Sequence, residues 1–314
     1  MYATTGNGTF DLTPFTPTAT DVGDSAIKLA VGYGTGGLTP YDYYTPPDLT
    51  SYPQLPGKTG GNGLCPNDVD FGSGGVLIFP ENFYTDLNHQ TAPNLAVTGD
   101  KQSNLYVLNR DLMGHYSSSG GNAFQLKPIR YATQFNPQGQ GFWSTPAYWK
   151  FSDASGAHYQ LYVSVTNDNS GQQPPVPTPF PIDMYKLATS GTTGPIGSQP
   201  DASTPLVFCK FSPTPVISSN GTSPTTGIVW GVERQVADNP TDCNGATKPA
   251  ALHAFDATTM LVLYNSRALT LLSNAQSFTT PTVFQTRVYV ATGSGATTQV
   301  NVFGICSTFG GCQN

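Results

Sequence analysis

Three residues in turn-like contexts carry side chains that could do chemistry: Asn7 in Gly6-Asn7-Gly8, Asp70 just ahead of a Gly-rich stretch, and Lys101 closing Gly99-Asp100-Lys101. Amide and carboxylate oxygens suit a hard cation, a carboxylate can take a proton, and an ammonium can hold an anion. The same residue types are at home in ordinary turns. Motifs with tighter spacing are missing. His89, His115, His158 and His253 stand alone, without His-x-x-x-His spacing or the makings of a Ser-His-Asp set. Gly72-Ser73-Gly74-Gly75 lacks the Gly-x-Ser-x-Gly spacing of a nucleophile elbow. Gly32 to Gly37 spells Gly-x-Gly-x-x-Gly, but Pro40 and the Tyr/Pro run behind it forbid the helix that dinucleotide binding needs. Cys65, Cys209, Cys243, Cys306 and Cys312 include no Cys-x-x-Cys pair, which argues against zinc. Cys306 and Cys312 are close enough for a terminal disulfide loop, and the pairing of the five stays open.

The elements that must position these residues are strands. The chain has 314 residues, enough for a sizeable core. Its 34 Gly and 27 Pro break helices, and its 16 Tyr and 17 Phe favour strands. Only 10% of residues are charged, against roughly 25% in an average globular protein. The net charge is −6 and no Lys/Arg cluster exists, which excludes a nucleic-acid role. No apolar run is long enough to span a membrane. Low charge with abundant Thr, Ser, Asn and Gly fits an extracytoplasmic protein, periplasmic or secreted. No signal peptide is visible, and Tyr2 to Phe10 reads like a strand and its turn, so the chain is expected to start part-way through a larger protein.

Asn94 to Tyr116 writes a β-hairpin: Leu95-Ala96-Val97, a turn at Gly99 to Lys101, then Leu105 to Leu108 and a polar turn at Asn109 to Asp111. Further strands are expected at 25–31, 74–80, 144–151, 158–165, 183–188, 227–233, 250–266, 279–295 and 299–304. Long Gly/Pro-rich loops are expected at about 32–68 and 166–206. The units repeat. "NLYVLNRDLMGHY" and "ALHAFDATTMLVLY" superimpose, and "NLAVTGDK", "RVYVATGSG" and "MYATTGNG" share an apolar run ending in Thr-Gly or Thr-Thr-Gly. Short antiparallel strands in repeated sets of about four point to one domain over 1–314, an all-β propeller of four-stranded blades with about six blades' worth of chain. A sandwich is the alternative, and it would be less self-similar.

These residues resemble a known family, the quinoprotein (pyrroloquinoline quinone) β-propellers. "ALHAFDATTMLVLY" is similar to their blade-docking motif A-x-D-x-x-T-G-x-x-x-W, with Ala254, Asp256 and Thr259 in place, Met260 at the Gly position and Tyr264 at the Trp position. Val107, Asn109 and Leu112 occupy the Ala, Asp and Thr positions of a weaker copy. "YATTGNG", "GDSAIKLA", "DVDFGSGGVLIF", "GDKQSNLYVLNR" and "TTPTVFQTRVYVATGSG" resemble, in order, segments of the eight-bladed quinoprotein alcohol dehydrogenases. The resemblance implies a partial propeller, N-terminally truncated relative to that family, whose first blades are not in this sequence.

The resemblance also implies roles. Asn7 and Asp70 match the Ca²⁺ ligands, Asp70 matches the general base, and Lys101 and Trp143 match residues that contact the quinone. Val69 and Phe142 depart from the family's Trp-Asp and Asn-Trp pairs. The segment that would carry the stacking tryptophan, the adjacent disulfide and the last calcium carboxylate is not in this sequence. The expected function is therefore a degenerate propeller serving as a binding or scaffold module, with a protein partner or small-molecule ligand at the propeller face. The alternative is part of a pyrroloquinoline quinone- and Ca²⁺-dependent alcohol dehydrogenase.

Overall fold

A computed structural model of the chain describes residues 1–6, 22–32, 37–46, 71–101, 103–117, 122–129, 140–167, 180–208, 213–234, 249–267, 272–274, 276, 278–293 and 298–304. Asn7, Asp70 and all five cysteines lie outside these residues. The described chain is all-β, with one short 3-10 turn at Phe71–Ser73.

Strands β1 (Tyr2–Thr4), β2 (Ala26–Val31) and β3 (Leu38–Tyr44) form the first sheet. Next come β4 (Leu77–Ile78), β5 (Thr85–Asp86), β6 (Leu95–Gly99), β7 (Asn104–Asn109) and β8 (Gln125–Pro128), of which β4-β6-β7-β8 make the second sheet. The chain continues through β9 (Gln140–Gly141), β10 (Ala147–Asp153), β11 (Gly156–Ser164), β12 (Thr166–Asn167), β13 (Ile182–Lys186), β14 (Ser190–Gly191) and β15 (Ala202–Ser203); the third sheet is β10-β11-β13-β15. The fourth sheet is β16 (Val216–Ser218), β17 (Ile228–Glu233), β18 (Ala251–Asp256) and β19 (Val262–Asn265). The fifth is β20 (Thr282–Phe284), β21 (Arg287–Thr292) and β22 (Gln299–Gly304). All pairs inside these five sheets are antiparallel. Outside them, β9 pairs with β12, and β5 runs parallel to β14.

The sheets pack face to face in chain order, and the period-two alternation of each strand is what allows it. In β7, Tyr106 and Leu108 pack with Ala26, Tyr44 and Phe71 towards the first sheet. Leu105 and Val107 point the other way, to Leu161, Val163 and Tyr185 of the third. In β11, Tyr162 turns away from that cluster and meets Val229, Phe255 and Met260 of the fourth sheet. There the alternation continues: Val232 and Leu252 meet Val288 and Val290 of the fifth. Strands buried on both faces read as near-continuous apolar runs such as Leu161-Tyr162-Val163, which is the pattern expected of internal sheets. Close approach is needed at Gly227, where an added Cβ would lie 2.3 Å from the Trp149 ring.

The structure differs from the sequence expectation in the two long loops. The 32–68 stretch contains β3, and the 166–206 stretch contributes the short strands β12, β14 and β15 besides the expected β13. Among the described residues no helix is long and apolar enough to cross a membrane.

Candidate functional site

Lys101 sits just beyond the end of β6, in the turn that joins β6 to β7. The turn is tied from within: the Asp100 amide donates to the Asn104 carbonyl, and the Asp100 carboxylate accepts from the Asn104 amide groups and the Tyr106 hydroxyl. Lys101 is only 3% exposed. Its ammonium lies 4.4 Å from the centre of the Trp143 ring, a cation–π pair in a desolvated place. Trp143 in turn stacks on Phe278, with ring centres 6.2 Å apart. The structure thus brings together Lys101 and Trp143, the two residues matched to quinone contacts.

The backbone is shaped to allow this approach. Gly141 has φ +128°, and a Cβ there would lie 2.1 Å from the Lys101 Cα. The Phe142 amide donates to the Asp100 carbonyl, which ties β9 to the lysine turn. Gly99 lies under the Phe142 ring, where a Cβ would meet ring carbons at 2.3 Å.

Two more segments reach the same place. The Ser73 hydroxyl donates to the Phe142 carbonyl, and Gly74 packs against the Gly99 and Ser144 carbonyls. Thr4 donates its hydroxyl to the Gly74 carbonyl, and Gly72 lies hard against Thr5. Asp24 clamps these two segments: its amide donates to the Gly6 carbonyl while its carboxylate accepts from the Phe71 amide. Residues 4–6, 71–75, 99–101 and 141–144 therefore converge. Asn7 and Asp70 lie outside the described residues. Among the described residues, no group of three or more His, Cys, Asp or Glu is placed to hold a metal ion.

Asp24 and Phe278 were not among the sequence candidates. Asp24 is buried at φ +48°, in a Gly-Asp turn that gave a signal only for the turn. Phe278 holds φ +65° while half exposed, an outlier for a bulky residue, and no residue pattern announces it.

The turn that joins β18 to β19 is tied through one carboxylate. The Asp256 carboxylate accepts from the amides and hydroxyls of both Thr258 and Thr259. Burial pushes this carboxyl up, but the four hydrogen bonds outweigh it and hold it below the ordinary range. Met260, at the Gly position, has φ +61° and is fully buried. Tyr264 packs edge-on against Phe303 of the next sheet, ring centres 6.2 Å apart.

The four histidines pair with carboxylates rather than with each other: His89 with Asp86, His115 with Asp42, His158 with Asp153 and His253 with Glu233. Ser155, His158 and Asp153 imitate a triad in composition only. Ser155 and Asp153 both meet the same ring nitrogen, Nε2, so no proton can pass across the imidazole from one to the other.

No model of a known protein family matches the chain, and no curated protein matches it.

Proposed function

We propose that the chain is a quinoprotein-like β-propeller module, corresponding to the C-terminal part of such a ring. In this reading it acts outside the cytoplasm as a binding or scaffold protein and holds a flat anionic ligand against Lys101 and Trp143. The observation that carries the reading is the Lys101 ammonium seated over the Trp143 indole in a buried position. The propeller is supported by the sheet order: the second, third and fourth sheets are covered on both faces by their sequence neighbours, as blades in a ring are. The low charge content supports export.

A second reading, a quinone- and Ca²⁺-dependent alcohol dehydrogenase, is favoured by the Asp24 clamp. It holds Gly6 and Phe71 together, and these are the sequence neighbours of Asn7 and Asp70. Pyrroloquinoline quinone, when bound, supplies a hydride acceptor. Asp70 would take the alcohol proton, Asn7 and Asp70 would offer oxygens to Ca²⁺, and Lys101 would hold the anionic edge of the ligand.

Titrating the purified chain with pyrroloquinoline quinone and Ca²⁺, and following the ligand's absorbance, tests both readings. Saturable binding that weakens at least about tenfold in Lys101→Ala and in Trp143→Ala is the expected result. Alcohol turnover with an artificial electron acceptor that is lost in Asp70→Asn would replace the binding module with the enzyme. The absence of saturable binding overturns both.

A further inference from the structure

The fourth and fifth sheets leave a cavity between them. On the fourth sheet Trp230, Ala254 and Tyr264 form one row across β17, β18 and β19. On the fifth, Val283, Val288 and Phe303 form the facing row. Ala254 is a small side chain set between two large rings, so the first row is hollow in the middle. A cavity of about 880 Å³ lies between the rows, in the size range of small-molecule sites.

Its lining is chemically consistent. The walls are apolar and aromatic: Trp230, Tyr264 and Phe303 with Ile228, Val283 and Val288. The polar residues of the lining are Ser218, Ser219, Asn220 and Thr226 from one sheet and its turn and Gln285 and Thr286 from the other. Among the described residues, none that lines it is charged. The Trp230 indole N–H donates to the Ser218 hydroxyl at 2.8 Å, which satisfies its edge and fixes the plane of the ring. Burial raises the pKa of Tyr264, so its phenol stays neutral.

The mouth carries a second, independent sign. Gln285 and Thr286, both exposed, join β20 to β21 with φ +46° and +65°. A two-residue hairpin turn with both central residues left-handed normally takes Asn-Gly or Asp-Gly. A β-branched threonine there is strained, and strain of this kind gathers at ligand clamps.

We propose that this cavity binds an uncharged organic molecule with a flat apolar body and a hydrogen-bonding head. The facing rows offer ring surfaces to the body, and the amides and hydroxyls of Asn220, Gln285 and Ser218 serve the head. A charged ligand would lose water without gaining a counter-charge. This site is separate from Lys101 and Trp143 and does not depend on how they are read.

The test uses two probes with one body. 1-Pyrenemethanol is neutral and carries a hydroxyl; 1-pyrenesulfonate carries a permanent negative charge. Binding is followed by quenching of tryptophan fluorescence in 0.5 M NaCl, where the net negative charge of the chain is screened. Pyrenemethanol should bind saturably at one site, and pyrenesulfonate at least about tenfold more weakly. Val283→Phe fills the cavity from a half-buried position and should weaken pyrenemethanol at least about fivefold. Ser219→Asp adds a carboxylate at an exposed lining position, where folding is not at risk, and should weaken it several-fold. Melting curves of both variants accompany the titrations. Equal affinity for the two probes, or undiminished pyrenemethanol binding in folded Val283→Phe and Ser219→Asp, overturns the proposal.

Discussion

Single residues in this chain hold conformations that their side chains resist, and each case makes a prediction. Gly141 is the clearest, because both its φ of +128° and its 2.1 Å approach to the Lys101 Cα exclude a side chain. Gly141→Ala should cost about 2 kcal/mol or more and displace the lysine turn. Thermal melting checks the first effect, and weakened binding of a flat anion at Lys101 checks the second. Met260 presents the opposite balance. Its left-handed backbone favours glycine by roughly 1 kcal/mol, yet its buried side chain fills the contact between the third and fourth sheets. Met260→Gly relieves the strain and empties the contact, and the cavity term should win by about 1–3 kcal/mol of net destabilisation in denaturant unfolding. The sequence revealed Met260 as the residue standing at a glycine position. It also revealed Lys101 as the cation of a turn, and the resemblance set Lys101 and Trp143 at one ligand, but the direct contact of ammonium and indole depends on how the chain returns to the turn after β7 and β8, which no residue pattern states. Phe278 was illegible for a different reason: a strained φ is imposed by surroundings and leaves no mark on residue type.

At the scale of strands and sheets, hydrophobic alternation decided what could be read. The internal strands β6, β7, β11, β13, β17, β18 and β21 all fall where apolar runs announce them. Of the strands that escaped, most are only two or three residues long, and the two longer ones, β3 and β8, are edges of their sheets and contain Pro40 and Pro128. An edge strand tolerates proline because one side of its backbone makes no ladder bonds, so the residue that argues against a strand is no obstacle there. Polar ties between strands were also hidden from sequence, and one of them lies between β17 and β18. Glu233 accepts from His253 at 2.7 Å and from the Arg267 guanidinium at 2.8 and 2.5 Å. Burial pushes the Glu233 carboxyl up, but these hydrogen bonds outweigh it and hold it below its ordinary value. A carboxyl depressed in the folded state adds stability at pH values above its unfolded pKa, about 4.3, and loses that contribution as pH falls through the folded value. Glu233→Gln should therefore be less stable than the parent at pH 7, by about 3 kcal/mol, since it leaves Arg267 and His253 without their acid. The difference should shrink steadily below pH 4. Melting temperatures of the two proteins from pH 3 to pH 7 test this, and a constant gap across the range would rule out the ion-pair explanation.

For the whole molecule, the decisive feature is that the described sheets meet through their faces. The second, third and fourth sheets bury both faces, while the fifth buries Val288 and Val290 against the fourth and leaves Phe284, Val300 and Val302 more than half exposed on the other side. Repetition in the sequence made the stacked units legible, whereas the arrangement of the terminal faces was not, because alternation marks a buried face without naming what buries it. Local opening is easiest where apolar contacts are fewest and backbone hydrogen bonds meet water. Hydrogen exchange followed by mass spectrometry should rank the sheets accordingly. Amides of β7, β11 and β18 should exchange last, near the rate set by global unfolding, and those of β20, β21 and β22 should exchange well before them. The order of protection also bears on the ring. In a closed propeller the outer face of the fifth sheet would be covered and its central strand, β21, would be protected like β18. Early exchange in β21 of the isolated chain, slowed when a longer form of the protein is examined, is the outcome expected if this chain is one arc of a ring. Equal protection of β21 and β18 in the isolated chain would mean that the exposed apolar face is already covered in solution.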